Sequence, residues 1–318
     1  MIQPLNELDK VEIWTLLDNF IDMTARDDNA IIRRGGLWEE GKNRQSLLAE
    51  HGFSALVRTT RGERSRTVLF DLGFSEIGAA YNARVLGLPM GEVETVVLSH
   101  GHGDHQGGLK ALLALIGRPG IELVVHPAAF KPKRYTKMPK AAFKAWHPAF
   151  SREMVTAAGG TVVESRGPLP LLGGDLLFLG EIPRRTAFET GVAPAFYDDD
   201  GVEKRDLIED DTSLVMNLRG RGLVVLSGCA HAGIINTVLQ AREVTGVQKV
   251  HVIMGGFHIN GSAAAPVVGH TVEAFQKIAP DYIVPTHCTG RTPIQRIEAA
   301  MPDRFILNMA GTKLTFAA

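Results

Sequence analysis

Cysteine is almost absent: the chain has two in 318 residues, Cys229 and Cys288. Two thiols cannot frame a disulfide-stapled fold, and a chain of this length buries enough core to need no staple. An excess of either charge is also lacking. Lys and Arg total 34 against 35 Asp and Glu, a formal net charge of -1. That balance gives no support to a protein that coats a polyanion, and it leaves room only for a local basic patch. No apolar run reaches the length of a membrane span. The opening MIQPLNELDKVEIW lacks a basic start followed by an apolar core, so no signal peptide is expected. No internal repeat or low-complexity tract is found. These absences predict a cytoplasmic protein with neither a membrane nor a nucleic acid as partner.

Histidine, in contrast, is concentrated. Residues 99–109 read SHGHGDHQGGL, which places His100, His102, Asp104 and His105 within six positions. Side chains two apart on an extended segment point the same way, so His100 and His102 can grip one ion together. Asp104 and His105 follow in a turn whose glycines let the backbone fold back. Imidazoles with a carboxylate suit Zn, with Fe or Mn as alternatives, one or two ions in all. Further donors follow apolar, strand-like runs. Cys229 and His231 come after GLVVLSG, His258 after VHVIMGGF, and His287 after DYIVPT. Each sits where a strand would release the chain, the edge at which open sheets gather ligands. His126, His147, His251 and His270 are individually expected to be structural or surface residues.

The order of elements predicts a single domain over 1–318, with mixed sheets covered by helices on their outer faces. HGFSALVRTT and RTVLFDLG read as a β-hairpin, and IGAAYNARVLG, GGLKALLALIG and AGIINTVLQAREV as helices, followed by others around 266–279 and 292–301. Two insertions interrupt this order. Residues 26–46 are polar, centred on Arg33, Arg34, Gly35 and Gly36, and read as either a lid or a dimer arm, which leaves a homo-oligomer open. Residues 131–150 carry six basic residues, no acidic ones, and several aromatics, while 198–211 is strongly acidic. Such runs are by default solvated faces, though their opposite signs allow them to pack together or to flank a pocket.

SHGHGDHQGGL matches the His-x-His-x-Asp-His signature of the metallo-β-lactamase superfamily. With LLDN, EHGFS, LFDLG, GEIPR, EDDTSLV, LSGCAHAGIINT, GGFH and PTHCTG, the chain resembles the branch that includes dihydropterin-ribofuranosylaminobenzene-phosphate synthase. The resemblance implies an α+β fold, an αββα sandwich of two mixed sheets flanked by helices, with a metal site at one edge. It implies one metal on His100, His102 and His231, and a second on Asp104, His105 and His287. Cys229 stands where many members place a bridging aspartate, so a thiolate bridge, or a weak second metal position, is implied instead.

The expected chemistry follows. Asp104 could orient or deprotonate the attacking water, and His258 could serve as general acid or touch the substrate. Asp71 is expected to receive a ring N–H from a ligating histidine. Thr289 and Gly290 would form an anion seat at a helix start, with Lys133 and Arg134 as a second clamp. Asn19 and His51 would lie on the same edge. The leading expectation is a metal-dependent hydrolase, or hydrolase-like transferase, acting on a small anionic, phosphorylated substrate, a pterin-related one among the candidates. The alternatives are a nuclease or phosphodiesterase of the same fold, or a non-catalytic metal-binding or redox-sensing protein built around the two cysteines.

Overall fold

The structure, a computed structural model, describes residues 2–39, 41–137, 143–191, 194–260 and 264–318. Position 40 of the first insertion and positions 138–142 of the second thus lie outside the described residues. Two mixed sheets carry the fold. The first orders its strands Gly160–Glu164, Ile121–Val125, Thr95–Val97, Arg64–Phe70, Ser54–Arg61, Lys10–Leu17, Lys313–Ala317 and Ile32–Arg33. The second runs Leu169–Leu171, Leu176–Phe178, Ser213–Leu218, Gly222–Ser227, Val250–Gly256 and Tyr282–Thr286, and Glu7–Leu8 adds a parallel pairing to Ser213–Leu218.

Alternation along the strands decides what each face covers. In Lys10–Leu17, Val11 and Ile13 point into a core shared with the second sheet, whereas Leu16 faces the helices. Ala55 and Val57, then Val68 and Phe70, repeat the inward choice, with Leu56 and Leu69 on the outer face. From the other sheet, Leu214, Met216, Val224, Leu226, Val252 and Met254 meet them. Strands covered on both faces read as unbroken apolar runs, as in Leu176–Phe178. The outer faces are then closed by helices. Leu109–Ile116 buries Leu109, Leu112, Leu113 and Ile116, one stripe at helical spacing, and ends on Gly117 in the left-handed region (φ 66°). Ile234–Thr245, Ala264–Ile278 and Arg291–Ala300 cover the second sheet. The layering is αββα, as the resemblance implies. Among the described residues no helix is long and apolar enough to cross a membrane.

The oppositely charged runs do not remain solvated faces. Arg134–Lys137 and Lys144–Trp146 join Ala195–Asp199 and Val202–Arg205 in a separate four-stranded antiparallel sheet. Arg134 is buried beneath it. Its Nε donates to Asp206 (2.6 Å), and Nη1 and Nη2 donate to the two oxygens of Asp210 (2.9 and 2.7 Å). Lys131 adds bonds to Asp206 (3.0 Å) and to Glu209. The charge pattern therefore fastens one insertion to the other segment.

Removing one partner of a buried pair strands the remaining charges. Arg134→Met is expected to cost about 3–5 kcal/mol of stability, measured from the urea midpoint at unchanged m value. A loss below about 1 kcal/mol would show that the brace is not needed.

Candidate metal centre

Six strands of the two sheets release their chains at one shared edge, and the candidate ligands stand in the first turns beyond them. Arg64–Phe70 delivers Asp71, Thr95–Val97 delivers Ser99 and His100, and Gly222–Ser227 delivers Cys229. Val250–Gly256 delivers His258, Tyr282–Thr286 delivers His287, and Lys10–Leu17 delivers Asp18 and Asn19. Four of these exits turn on non-glycine residues in the left-handed region: Asp71 (φ 59°), Ala230 (51°), His258 (45°) and His287 (47°). Each such residue costs on the order of 1 kcal/mol or more, and strain of this kind collects at functional sites. Two glycines allow the close approaches between exits. A Cβ on Gly228 would lie 2.1 Å from Ser99 Oγ, and one on Gly107 would lie 1.8 Å from the Phe74 carbonyl oxygen.

The side chains converge. His100 Nε2 lies 3.0 Å from His102 Nδ1 and 3.2 Å from His231 Nε2. His105 Nε2 lies 3.2 Å from His287 Nε2 and 3.1 Å from Cys229 Sγ. Asp104 Oδ2 is 3.2 Å from His287 Nε2. The donor atoms of Asp104, His105, Cys229 and His287 all fall within 4.8 Å of one another, as do those of His100, Cys229 and His231 and those of His100, His102 and Asp104. Metal–nitrogen distances of about 2.0–2.1 Å in a tetrahedral site put neighbouring donor nitrogens about 3.3 Å apart. The observed separations fit that geometry. Cys229 belongs to both halves, the place a bridging ligand would hold.

Hydrogen bonds fix which nitrogens face inward. His105 Nδ1 is 2.6 Å from Asp71 Oδ2, and His287 Nδ1 is 3.1 Å from Asn19 Oδ1. Each contact lets Nδ1 donate outward and leaves the Nε2 lone pair aimed at the centre. Two such lone pairs 3.2 Å apart, beside a carboxylate, repel unless a cation sits between them. Burial pushes His100, His102 and His231 well below the usual imidazole range, so they are neutral, the form a metal requires. His105 behaves oppositely. Burial alone would lower it, but the Asp71 and Asp104 carboxylates hold it up to about 9. Burial likewise opposes ionisation of Asp104, yet His105 and His287 keep its carboxyl well below the usual range. The Cys229 thiol is pushed up by burial. A site that attracts a proton this strongly in its acidic half is one where a cation would replace it.

The supporting residues are Asp71, placed as expected against a ligating histidine, and three further acids that sequence patterns did not single out. Asp71 accepts from Ser99 N and Ser99 Oγ, both at 2.7 Å, as well as facing His105. Asp210 accepts from Gly101 N at 2.7 Å, between the first two motif histidines, while also holding Arg134. Asp211 accepts from Ala232 N at 2.9 Å, next to His231. Asp18 accepts from His287 N and from Asn308 Nδ2. The DD pair of EDDTS was visible as charge, but only its distant partners reveal what it braces.

The other expected site residues take varied places. Asn19 Nδ2 donates to the His287 carbonyl at 2.9 Å, and His51, exposed, stands 3.7 Å from Asp104. Both line a cavity of about 620 Å³ beside His287, together with Thr289, Gly290, Arg291 and Glu298. Thr289 Oγ1 accepts from Phe257 N and Gly290 N donates to Ile259 O, so these two groups are already engaged. Arg134, expected as an anion clamp, has its guanidinium spent on Asp206 and Asp210. Lys133 beside it is exposed, with φ 43°. His258 is half-buried, its ring 4.2 Å from that of His231, with Nδ1 unpartnered. Of the histidines expected to be structural, His251 meets Asp281 at 2.6 Å and His126 Nδ1 accepts from Ala128 N. His147 instead stacks on His102, ring centroids 4.7 Å apart.

Known proteins resemble this chain in sequence and in fold. The metallo-beta-lactamase superfamily model matches residues 49–169. A 7,8-dihydropterin-6-methyl-4-(beta-D-ribofuranosyl)-aminobenzene-5'-phosphate synthase from Methanocaldococcus jannaschii is 27% identical over 293 residues, 91% of each chain. A solved structure described as a metal-dependent hydrolase of the beta-lactamase superfamily is 26% identical, with a TM-score of 0.73, covering 97% of this chain and 100% of its own. The metallo-beta-lactamase fold protein YhfI from Bacillus subtilis shares the fold at 10% identity, with a TM-score of 0.50, over 97% of this chain and 100% of its own.

Two outcomes are expected. Asp71→Asn leaves the ligands in place but weakens their orientation, so metal affinity measured by chelator competition should fall about 10–100-fold. An unchanged affinity would remove Asp71 from this role. The second concerns Asp211, whose carboxyl burial pushes up to about 7. The folded chain keeps this proton from about pH 4 to about 7 while the unfolded chain releases it. The group's contribution is thus complete below about pH 4 and is lost as pH rises through about 7. Urea midpoints of metal-stripped protein at pH 4.5 and 7.5 should show a smaller decline in Asp211→Asn than in the parent; an equal decline would contradict the assignment.

Proposed function

Taking as premise that this chain belongs to the metallo-β-lactamase superfamily, we propose that it is a metal-dependent enzyme acting on a small phosphorylated aromatic compound, as a hydrolase or a hydrolase-like transferase. The observation that carries the reading is the convergence of His100, His102, Asp104, His105, His231, His287 and Cys229 at one strand edge beside an open cavity. His100, His102 and His231 would hold one ion, and Asp104, His105 and His287 another, with Cys229 reaching both. Nitrogen, oxygen and sulfur donors in this mixture suit Zn, and also Fe. When bound, such an ion supplies Lewis acidity and brings the pKa of water from 15.7 to about 7.

The chain's own groups then divide the work. Asp104 Oδ2 stands 3.2–3.8 Å from His287, His51 and His105, ionised, and accepts a hydrogen bond from the attacking water. His258 presents an unpartnered Nδ1 beside His231 and is placed to give a proton to the leaving group. Burial would lower it, but a hydrogen bond to Cys288 and the negative charge of its thiolate hold its pKa above the ordinary value, which favours the donor form. The cavity beside His287 supplies Phe20, Ile294 and Leu307 as apolar wall, with Arg291 and Gln295 as polar contacts. The substrate class draws support from the methanogen synthase, whose product name joins a pterin, an aromatic amine and a phosphate. A nucleic acid substrate fits less well, because Lys131 and Arg134 of the basic segment at this edge are already paired with Asp206, Glu209 and Asp210.

Zn²⁺- and Fe²⁺-reconstituted protein should turn over at least one small aryl phosphoester and leave an RNA oligonucleotide intact. His102→Ala should lower bound metal and reduce the rate by about 100-fold or more. The reading fails if the loaded parent turns over no small phosphoester, or if His102→Ala keeps full metal and full rate.

A further inference from the structure

The RRGG centre of the first insertion is not used by the metal centre. It closes a second cavity, of about 590 Å³, that shares no lining residue with the one beside His287. Its floor is a row across three strands. Trp14 pairs in register with Lys313, and Lys313 pairs with Arg33, so the three side chains share one face. From Trp14 to Asp18 the strand advances four residues, roughly 13 Å, which separates this floor from the metal edge. Leu86 and Leu88 add apolar wall, and Trp38, 59% exposed, stands at the rim.

The charge is one-sided. Arg26, Arg33, Arg34, Arg44 and Lys313 line the cavity, with Asp28 as the one carboxylate among the lining residues. Three of these cations are engaged, Arg34 with Asp27, Lys313 with Glu12 at 2.6 Å, and Arg44 as well. Arg33 meets no acceptor among the described residues. Among the described residues, the one hydrogen bond of Arg26 runs from Nη1 to the neighbouring Ala25 carbonyl. Like charges directly opposite on adjacent strands destabilise a sheet, and Arg33 faces Lys313 in that way. Arg34 and Lys313 serve the packing, through Thr312 and over the Trp14 ring, whereas Arg33 keeps its donors unmet among the described residues; an anion between Arg33 and Arg26 would take them up. The volume is that of a small-molecule pocket, and an exposed indole beside guanidinium groups suits a flat ring carrying a phosphate.

We propose that the cavity between the 26–46 insertion and the Trp14–Lys313–Arg33 row binds a phosphorylated aromatic small molecule, at a site separate from the metal centre. Its phosphate meets Arg33 and Arg26, and its ring stacks on Trp38. Adenosine 5′-monophosphate is the probe, titrated by calorimetry and by tryptophan fluorescence, with adenosine and a poly-glutamate peptide as controls. The monophosphate should bind at sub-millimolar concentration, more weakly as salt rises, and adenosine should not. Arg33→Gln should weaken binding by about tenfold or more, and Trp38→Leu should weaken it and remove most of the fluorescence change, both at unchanged Tm. His102→Ala should bind the probe as the parent does. Absence of binding at millimolar probe, binding unchanged in both Arg33→Gln and Trp38→Leu, loss in His102→Ala, or equal binding of poly-glutamate would each overturn the proposal.

Discussion

The carboxylate of Asp71 is the contact on which the site depends. It is fully buried in a left-handed turn, and it holds three hydrogen-bonding groups: Ser99 N, Ser99 Oγ and His105 Nδ1. Through Ser99 it fixes the exit of the strand that carries the motif, and through His105 it sets the tautomer of a ligand. Ser99 Oγ also stands 3.0 Å from His100 Nδ1, so the same carboxylate reaches both halves of the donor set. A buried carboxylate is costly unless it is paired. Here its partners are the groups that must not move.

The same logic recurs around the edge. Asp18, Asp210 and Asp211 each accept backbone N–H groups from the loops that carry ligands, beside His287, within His100–His102, and beside His231. Four buried acids thus serve as anchors, and the strained exits they brace at Asp71, Ala230 and His287 persist because the surroundings over-determine them. Arg134 ties this edge to the added sheet, since Asp210 holds Gly101 and Arg134 at once. Stability of the insertion and geometry of the centre are therefore linked through one side chain.

Cys229 gives the centre its particular character. A carboxylate in its place would bring fixed negative charge and two oxygens, whereas a thiolate brings one soft, polarisable donor. Its sulfur lies within reach of His105 and within the groups formed by both sets of histidines. Cys288, buried and bonded to the Cys229 carbonyl at 3.6 Å, adds a second sulfur nearby, against His258. Donor softness biases which metal is held most firmly.

Much of this was legible in the sequence because it is local or periodic. The hairpin of 54–70, the apolar stripe of 109–116 and the six-residue donor cluster all follow from spacing along the chain. So did the late donors, because each follows a strand. Pairing across distance was not legible. The basic run at 131–150 and the acidic run at 198–211 could have been solvated faces, and only folding showed Arg134 between Asp206 and Asp210. Nor could spacing tell that His147 stacks on His102, or that Arg33 would face Lys313 nearly three hundred residues away. The sequence by itself determined which groups stand at strand ends, since that is set by backbone period and hydrophobic burial. Tertiary structure alone decided which of them meet, since a hydrogen bond or ion pair between remote segments exists only after two sheets have closed on a common core.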